Sequence, residues 1–141
     1  MQRLAYSHGC LLARLPESLA GKIRKYADSI PDEFVWDDGS GENGREDKPH
    51  VTVWYGVETT DPAEVQEALS GFGPLQLTLG DTSVFHNEEN NVLKMRVEGR
   101  DLFRLNRHVG RTLDCVRLHP GYQPHVTIAY LVKDDVDDPH M

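Results

Sequence analysis

The 141-residue chain has no long apolar run and only two cysteines. No segment approaches the ~18 consecutive apolar residues of a membrane-spanning helix, and no basic start followed by an apolar stretch has the pattern of a signal peptide. We therefore expect a cytoplasmic protein without a membrane segment. Cys10 and Cys115 stand apart in apolar surroundings, which predicts two buried thiols and no metal spacing. We expect neither a metal site nor a cofactor.

The chain also has little positive charge, with 15 basic against 23 acidic residues and a net charge of −8. Seven acidic residues lie in segment 31–48, and four more lie in the acidic tail, residues 133–141. The rest of the chain has as many basic as acidic residues. Long nucleic acids need a strongly basic surface that displaces counterions from many phosphates, so this charge argues against them. A small nucleotide or a short oligonucleotide fits better.

One short phrase occurs twice: residues 49–57 read PHVTVWYGV and residues 124–132 read PHVTIAYLV. We name these the first and second motifs. Both are rich in β-branched and aromatic residues, which predicts two strands. Because alternate strand residues share a face, His50, Thr52 and Trp54 are predicted on one face and Val51, Val53 and Tyr55 on the other. The second motif predicts the same division, with His125, Thr127 and Ala129 opposite Val126, Ile128 and Tyr130.

Two histidines, each with a threonine two residues on, suit metal-free cleavage of a phosphodiester. Displacement at phosphorus needs a base on the attacking oxygen and an acid on the leaving oxygen. An unperturbed histidine pKa of roughly 6.5 allows one imidazole to be neutral while the other is protonated. The hydroxyls of Thr52 and Thr127 can donate to the phosphoryl oxygens as negative charge builds up. The pattern predicts His50, Thr52, His125 and Thr127 as catalytic, without assigning which histidine is the base.

The remaining elements follow from periodicity and breakers. We predict a strand over residues 4–15, a helix over 16–30 that Pro31 ends, and a helix over 62–69. A strand pair is predicted over 75–85 and 92–97, and a helix over 100–113. The stretch 37–48, rich in Gly, Asp and Glu, is predicted to be a flexible loop. It acts either as a connector or as a lid beside the first motif, and its spacing does not match a calcium-binding EF-hand.

Three further residues are predicted to bind substrate. Trp54 either stacks on a nucleobase, an interaction worth roughly 1–3 kcal/mol in single-strand binders, or packs against helix 16–30. Lys94 neutralises phosphate charge if its face is the cleft and is a solvent residue otherwise. Tyr122 ends the loop before the second motif and borders the cleft. The helix 100–113 also carries a basic stripe, read either as a solvated face or as an oligonucleotide contact: Arg100, Arg104, Arg107 and Arg111.

The paired His-x-Thr motifs resemble those of the two-histidine (2H) phosphoesterases, also called the LigT-like or 2′,5′ RNA ligase-like superfamily. The resemblance covers nearly the whole chain, which we take as one domain of residues 1–141. It implies a bilobal α+β fold: two pseudo-symmetric lobes of antiparallel sheet, helices outside and a central cleft. It also implies metal-independent chemistry and identifies His50, Thr52, His125 and Thr127 with the family's catalytic residues.

The sequence therefore predicts a phosphodiesterase acting on a nucleotide phosphodiester or a 2′,3′-cyclic phosphate. Small members of the superfamily include phage-encoded enzymes that destroy cyclic or 2′,5′-linked oligonucleotide signals, while other members process RNA ends. A nucleotide-binding module of the same fold without turnover, and a metal hydrolase using both histidines as ligands, are the alternatives from other classes.

Overall fold

The computed structural model describes residues 3–7, 10–41, 43–59, 61–115 and 121–133. Two hairpin-and-helix units follow each other along the chain. The first unit comprises β1 (Arg3–Ser7), β2 (Cys10–Arg14), α1 (Glu17–Asp28) and β3 (His50–Tyr55). After α2 (Pro62–Leu69), the second comprises β4 (Thr78–His86), β5 (Asn91–Glu98), α3 (Arg100–Thr112) and β6 (His125–Leu131). The two His-x-Thr motifs are therefore the closing strands of equivalent ββαβ units.

All six strands form one antiparallel sheet in the order β1-β2-β3-β6-β5-β4. The motif strands β3 and β6 lie at its centre, where the two units meet. Each helix packs against the motif strand of the other unit, α1 on β6 and α3 on β3. The α+β class and the pseudo-symmetric, antiparallel arrangement that the sequence predicts are confirmed, with the two lobes joined through a single sheet.

The core lies between the helices and one face of this sheet. On α3, Leu102, Leu105 and Val109 are fully buried at helical spacing. They pack into a single hydrophobic cluster that also includes Val51 and Val126 from the two motif strands. The opposite face of the sheet carries the polar residues of the motifs, because strand side chains alternate.

Helix ends follow the predicted signals. The Asp61 carboxylate accepts a hydrogen bond of 3.0 Å from the backbone N–H of Ala63, and Pro62 occupies the first turn of α2. The backbone N–H groups of Ser29 and Ile30 bond to carbonyls of the last turn of α1, and Pro31 follows. The structure thus agrees with helices predicted over 16–30, 62–69 and 100–113 to within two residues at each end.

One strand prediction is wrong. The segment 4–15 is not a single strand but the antiparallel hairpin β1–β2, in which Ser7 pairs with Cys10. The apolar run hides the reversal, because Gly9 alone marks a turn in the sequence. Residues 8–9 themselves lie outside the described residues. The consequence is a sixth strand that extends the first unit to match β4 of the second.

The acidic segment is joined to β6. Arg45 forms a bridge with Ala129 and Val35 with Leu131, and the backbone N–H of Tyr130 donates to the Gly44 carbonyl at 2.8 Å. Arg45 also donates to the carbonyls of Ala27 and Ile30. The predicted loop over residues 37–48 is thus joined to β6 at Gly44 and Arg45, and its role, as a connector or as a lid, stays a prediction. The acidic tail beyond residue 133 lies outside the described residues.

Both cysteines are free thiols and only half-buried, so the prediction of buried thiols holds in part. Burial raises the pKa of the Cys10 thiol, and a hydrogen bond from the Thr52 side chain opposes that rise. Among the described residues, no helix is long and apolar enough to cross a membrane.

Candidate active site

The two motifs meet at one pair of residues. Val51 on β3 pairs with Val126 on β6, and both are fully buried. In an antiparallel pair the neighbours on either side also face each other. His50 therefore lies across from Thr127, and Thr52 lies across from His125. Each histidine is matched with the threonine of the other motif, so the site needs both strands.

Both motif strands contain a β-bulge directly after the threonine. On β3, Thr52 pairs with Leu12 and Trp54 with the adjacent Leu11, which makes Val53 an inserted residue. On β6 the register shifts in the same way, since Thr127 pairs with Lys94 and Ala129 with the adjacent Leu93, which leaves Ile128 inserted. A bulge adds one residue to one strand and so reverses which face the following side chains occupy.

The predicted alternation is consequently wrong beyond the threonines. Tyr55 pairs with Cys10, whose thiol bonds the Thr52 side chain, so Tyr55 lies on the histidine face. Tyr55 is 46% exposed there, whereas Ala129 is fully buried on the core side. Tyr130 on β6 occupies the position equivalent to Tyr55, and both residues line the same cavity. Two tyrosines thus join the two histidines where sequence alternation predicts Trp54 and Ala129.

Trp54 packs against a helix other than the predicted one. A Cβ atom built at Gly110 of α3 would lie 2.7 Å from Cη2 of Trp54, which shows how closely the indole approaches that helix. The ring is half-buried against the core and still borders the cavity of the site. Packing against the helix over residues 16–30 is therefore wrong, while nucleobase binding by Trp54 stays a prediction.

Each histidine is oriented by a backbone carbonyl two residues earlier in the chain. Nδ1 of His50 lies 2.9 Å from the carbonyl oxygen of Lys48, and Nδ1 of His125 lies 3.0 Å from that of Gln123. A carbonyl oxygen can only accept, so Nδ1 carries the hydrogen in both rings. Nε2 is then the atom that gains or loses a proton. Neither contact was predicted from the sequence. The signal for them is that each histidine and its carbonyl partner are two residues apart in both motifs.

The electrostatic surroundings of His125 favour its neutral form. Burial lowers the pKa of the His125 imidazole, the bond to the Gln123 carbonyl raises it in part, and electrostatic interactions with Lys94 and with His50 lower it further. Lys94 reaches this position because it pairs with Thr127 on the neighbouring strand. The structure therefore places Lys94 on the face of the two motifs, one of the two positions that the sequence left open.

Tyr122 links the loop before the second motif to the first motif strand. Its hydroxyl donates to the Thr52 carbonyl at 2.7 Å, and its ring meets Phe103 of α3 edge-on at 5.4 Å. Asn106 of the same helix donates to the Val53 carbonyl at 2.7 Å. These two bonds satisfy carbonyls beside the bulge, where β3 and β6 no longer pair. Burial strongly raises the pKa of Tyr122, which keeps the phenol protonated as a donor.

A cavity of about 750 Å³, which we name the motif groove, opens over these residues. Thr52, His125, Thr127, Lys94 and Tyr122 line it. His50 is not part of that lining, and the register places it at the groove edge across from Thr127. A larger cavity of about 970 Å³ lies between the start of α1 and residues 74–79 and contains no motif residue. The motif groove is therefore the candidate active site.

Within the described ranges, no three His, Cys, Asp or Glu residues are grouped as metal ligands. Cys10 lies on β2, where it pairs with Tyr55, and Cys115 follows α3 and forms a bridge with Val57.

An antiparallel α+β fold with paired His-x-Thr strands at its centre defines a two-histidine phosphoesterase type of site. A family profile described as the 2′-5′ RNA ligase superfamily matches residues 15–140. The chain belongs to this superfamily, which is that of the 2H or LigT-like phosphoesterases. A search of curated proteins found no match.

Proposed function

We propose that this chain is a metal-independent phosphodiesterase that cleaves a nucleotide phosphodiester or a 2′,3′-cyclic phosphate. The observation that carries the proposal is the matched register of the two motifs. It sets two histidines, each with Nδ1 bound to a carbonyl, on the same face as two threonine hydroxyls. In this arrangement Nε2 of each imidazole can exchange a proton with the substrate. One imidazole can then act as the general base and the other as the general acid, without a metal.

In the proposed reaction His125 is the base and His50 is the acid. Nε2 of His125 takes the proton from a water or ribose hydroxyl as its oxygen bonds to phosphorus. The bond from phosphorus to the leaving oxygen breaks, and that oxygen takes the proton from Nε2 of His50. Burial and Lys94 support this order because both lower the pKa of His125 and so favour the neutral imidazole.

The threonine hydroxyls and Lys94 act on the phosphoryl group. Thr52 and Thr127 donate to the non-bridging oxygens, where negative charge grows in the transition state. Lys94 is next to Thr127 on the adjacent strand and adds a positive charge beside those oxygens. Substrates within this proposal include short linear, cyclic and 2′,5′-linked oligonucleotides. RNA-end processing would use the same groups on a 2′,3′-cyclic end, and the cytoplasmic location stays a prediction.

Single substitutions of the histidines test the proposal. His50→Ala and His125→Ala should each lower turnover by about 10² to 10⁴-fold, the usual contribution of one general acid or base. His86→Ala is the matched control, because His86 also lies on a strand but at the end of β4, bonded to Asn91. Circular dichroism should show all three variants folded. Full turnover in either His50→Ala or His125→Ala would contradict the paired mechanism.

A further inference from the structure

The motif groove is basic although the protein is acidic. The net charge of the chain is −8. Among the described residues the groove is lined by Lys94, Arg107 and Arg111 and by no aspartate or glutamate. A concave surface with charges of one sign concentrates ligands of the opposite sign. The groove is therefore built for an anion, and three lysine and arginine charges exceed what one phosphodiester supplies.

The four arginines of α3 do not act as one stripe. Arg104 pairs with Asp101 at 3.1 Å and lies over the ring of Phe72. Arg100 lines the separate cavity beside α1. Arg107 and Arg111 line the motif groove, and neither belongs to any of the four ion pairs found in the described part of the chain. The basic stripe predicted from the sequence is thus divided, with two guanidinium groups assigned to the groove.

Arg107 and Arg111 stand one helical turn apart, which brings their Cβ atoms to about 5–6 Å. Two guanidinium groups at that spacing can hold a single phosphate, since arginine presents several N–H donors in a plane that matches phosphate oxygens. Lys94, by contrast, lies on β5 beside Thr127, on the other side of the β3–β6 pair from α3. The positive charges therefore form two separate groups along one groove.

Fixed contacts hold α3 in this position. The Trp54 indole packs on Gly110, between Arg107 and Arg111 in the sequence, and Asn106 donates to the Val53 carbonyl. These contacts join the helix to β3 directly beside the first motif. The backbone positions of Arg107 and Arg111 are consequently fixed relative to β3.

Aromatic side chains border the groove around the two charge groups. Three of the five exposed large apolar residues of the described chain line it, namely Tyr55, Phe85 and Phe103, at 46%, 54% and 42% exposure. Phe85 lies on the Lys94 side, with the Lys94 ammonium 5.8 Å from its ring centre. Phe103 lies on α3 with the arginines. Exposed aromatic rings are stacking surfaces for nucleobases.

We propose that Arg107 and Arg111 form a second phosphate site, so that the substrate is an oligonucleotide with at least one phosphate beyond the one that is cleaved. The inference rests on the proposed function and names its substrate class. A nucleoside 2′,3′-cyclic phosphate has a single phosphate, which the His-x-Thr groups and Lys94 occupy. Such a substrate leaves the α3 site empty.

The test compares substrates that differ by one phosphate. Adenylyl-adenosine dinucleotides (ApA) with a 3′,5′ or a 2′,5′ linkage are prepared in three forms: with no terminal phosphate, with a 5′-phosphate and with a 3′-phosphate. For the native protein, one added phosphate should raise kcat/KM by about tenfold or more, the effect of a charge-assisted contact. In the Arg107→Gln, Arg111→Gln double variant that gain should disappear, so that kcat/KM becomes the same for the dinucleotides with and without a terminal phosphate.

Arg104→Gln is the matched control, since it removes an arginine from the same helix outside the groove. It should keep the full gain from the terminal phosphate. The slope of log affinity against log salt should also decrease in the double variant, by about 0.7 for each phosphate of a single strand that the variant no longer neutralises. An equal gain from the terminal phosphate in the native protein and the double variant would overturn the second phosphate site.

Calorimetric binding separates this inference from the proposed function. The affinities of the same ApA dinucleotides are measured for the His50→Ala protein, with and without the two arginine substitutions. If the native protein cleaves no diester, the proposed function fails, yet a terminal phosphate that still tightens binding through Arg107 and Arg111 supports the second site. If the diesters are cleaved and the terminal phosphate changes neither binding nor kcat/KM, the second site alone is refuted.

Discussion

The close contact between Gly110 and the Trp54 indole predicts how a single added methyl group changes the stability of the protein. Gly110→Ala adds a Cβ atom that would lie 2.7 Å from Cη2 and 2.8 Å from Cζ3 of the indole. Carbon atoms in contact prefer a separation of about 3.5–4.0 Å. Either the indole or α3 must therefore move by roughly 1 Å, in a region where the ring is packed against the core.

The expected change in the free energy of unfolding is the difference between a gain in helix propensity and a cost of overpacking. Alanine is favoured over glycine inside a helix by about 0.5–1 kcal/mol. Overpacking of a filled site costs about 1–3 kcal/mol. Gly110→Ala should therefore lower the free energy of unfolding by about 0 to 2.5 kcal/mol. Gly21→Ala on α1 supplies the reference, because its added Cβ meets only the Arg24 side chain at an ordinary 3.8 Å.

Urea denaturation of the two variants measures the difference directly. Gly21→Ala should stabilise the protein by about 0.5–1 kcal/mol, and Gly110→Ala should be about 1–3 kcal/mol less stable than Gly21→Ala. Shortening the indole with Trp54→Phe should recover part of that loss in the Gly110→Ala background. If Gly110→Ala stabilises as much as Gly21→Ala, the indole does not fix α3, and Trp54 becomes available to a nucleobase instead.

Three further predictions concern the site itself. The acid limb of kcat/KM should lie below the ordinary histidine value of about 6.5, because burial and nearby positive charge lower the pKa of the base His125. Lys94→Gln removes one of those charges and should move the limb to higher pH, so a shift to lower pH in the pH-rate profile would contradict the assignment. Thr52→Val or Thr127→Val should lower kcat more than it changes KM, since the hydroxyls act mainly in the transition state; steady-state kinetics showing only a raised KM would place them in substrate binding. Tyr122→Phe removes the donor to the Thr52 carbonyl and should cost about 0.5–1.5 kcal/mol in urea denaturation, whereas unchanged stability would mean that the bond contributes nothing.

The residues of the motifs could be predicted from the sequence because a repeat constrains both copies at once. A single His-x-Thr is compatible with any polar strand position. Two copies with the same apolar and tyrosine positions identify the core face up to Thr52 and Thr127, and the structure agrees to that point. The three helices follow from a local signal as well, namely periodic apolar residues, and Pro31 and Gly71 mark the ends of the first two.

The orientation of Trp54 and Tyr55 could not be predicted in this way. A β-bulge is defined by the pairing of two strands, and nothing in the residues 50–55 marks Val53 as the inserted one. The register with β2 decides it. The equivalent shift at Ile128 depends on β5. Because one inserted residue reverses all later side chains, a local pattern that is right up to the threonine becomes wrong after it.

The division of the α3 arginines also depends on tertiary contacts. Helical spacing places all four arginines on one side of α3, and that spacing holds in the structure. The packing of Gly110 on Trp54 and the bond from Asn106 to the Val53 carbonyl decide which part of the helix borders the groove. Sequence periodicity identifies the apolar side of a helix, but the neighbour that each polar residue meets is set by the rest of the fold.

Product analysis in the presence of EDTA tests the central claim most directly. The native protein and the His50→Ala, His125→Ala double variant are incubated with 2′,3′-cyclic nucleotides, with 2′,5′- and 3′,5′-linked dinucleotides, and with cyclic di- and trinucleotides. Products are then separated by chromatography and identified by mass. We expect the native protein to cleave a phosphodiester with EDTA present and the double variant to cleave none. Cleavage that disappears with EDTA and returns with added zinc, or that persists in the double variant, would contradict two-histidine catalysis.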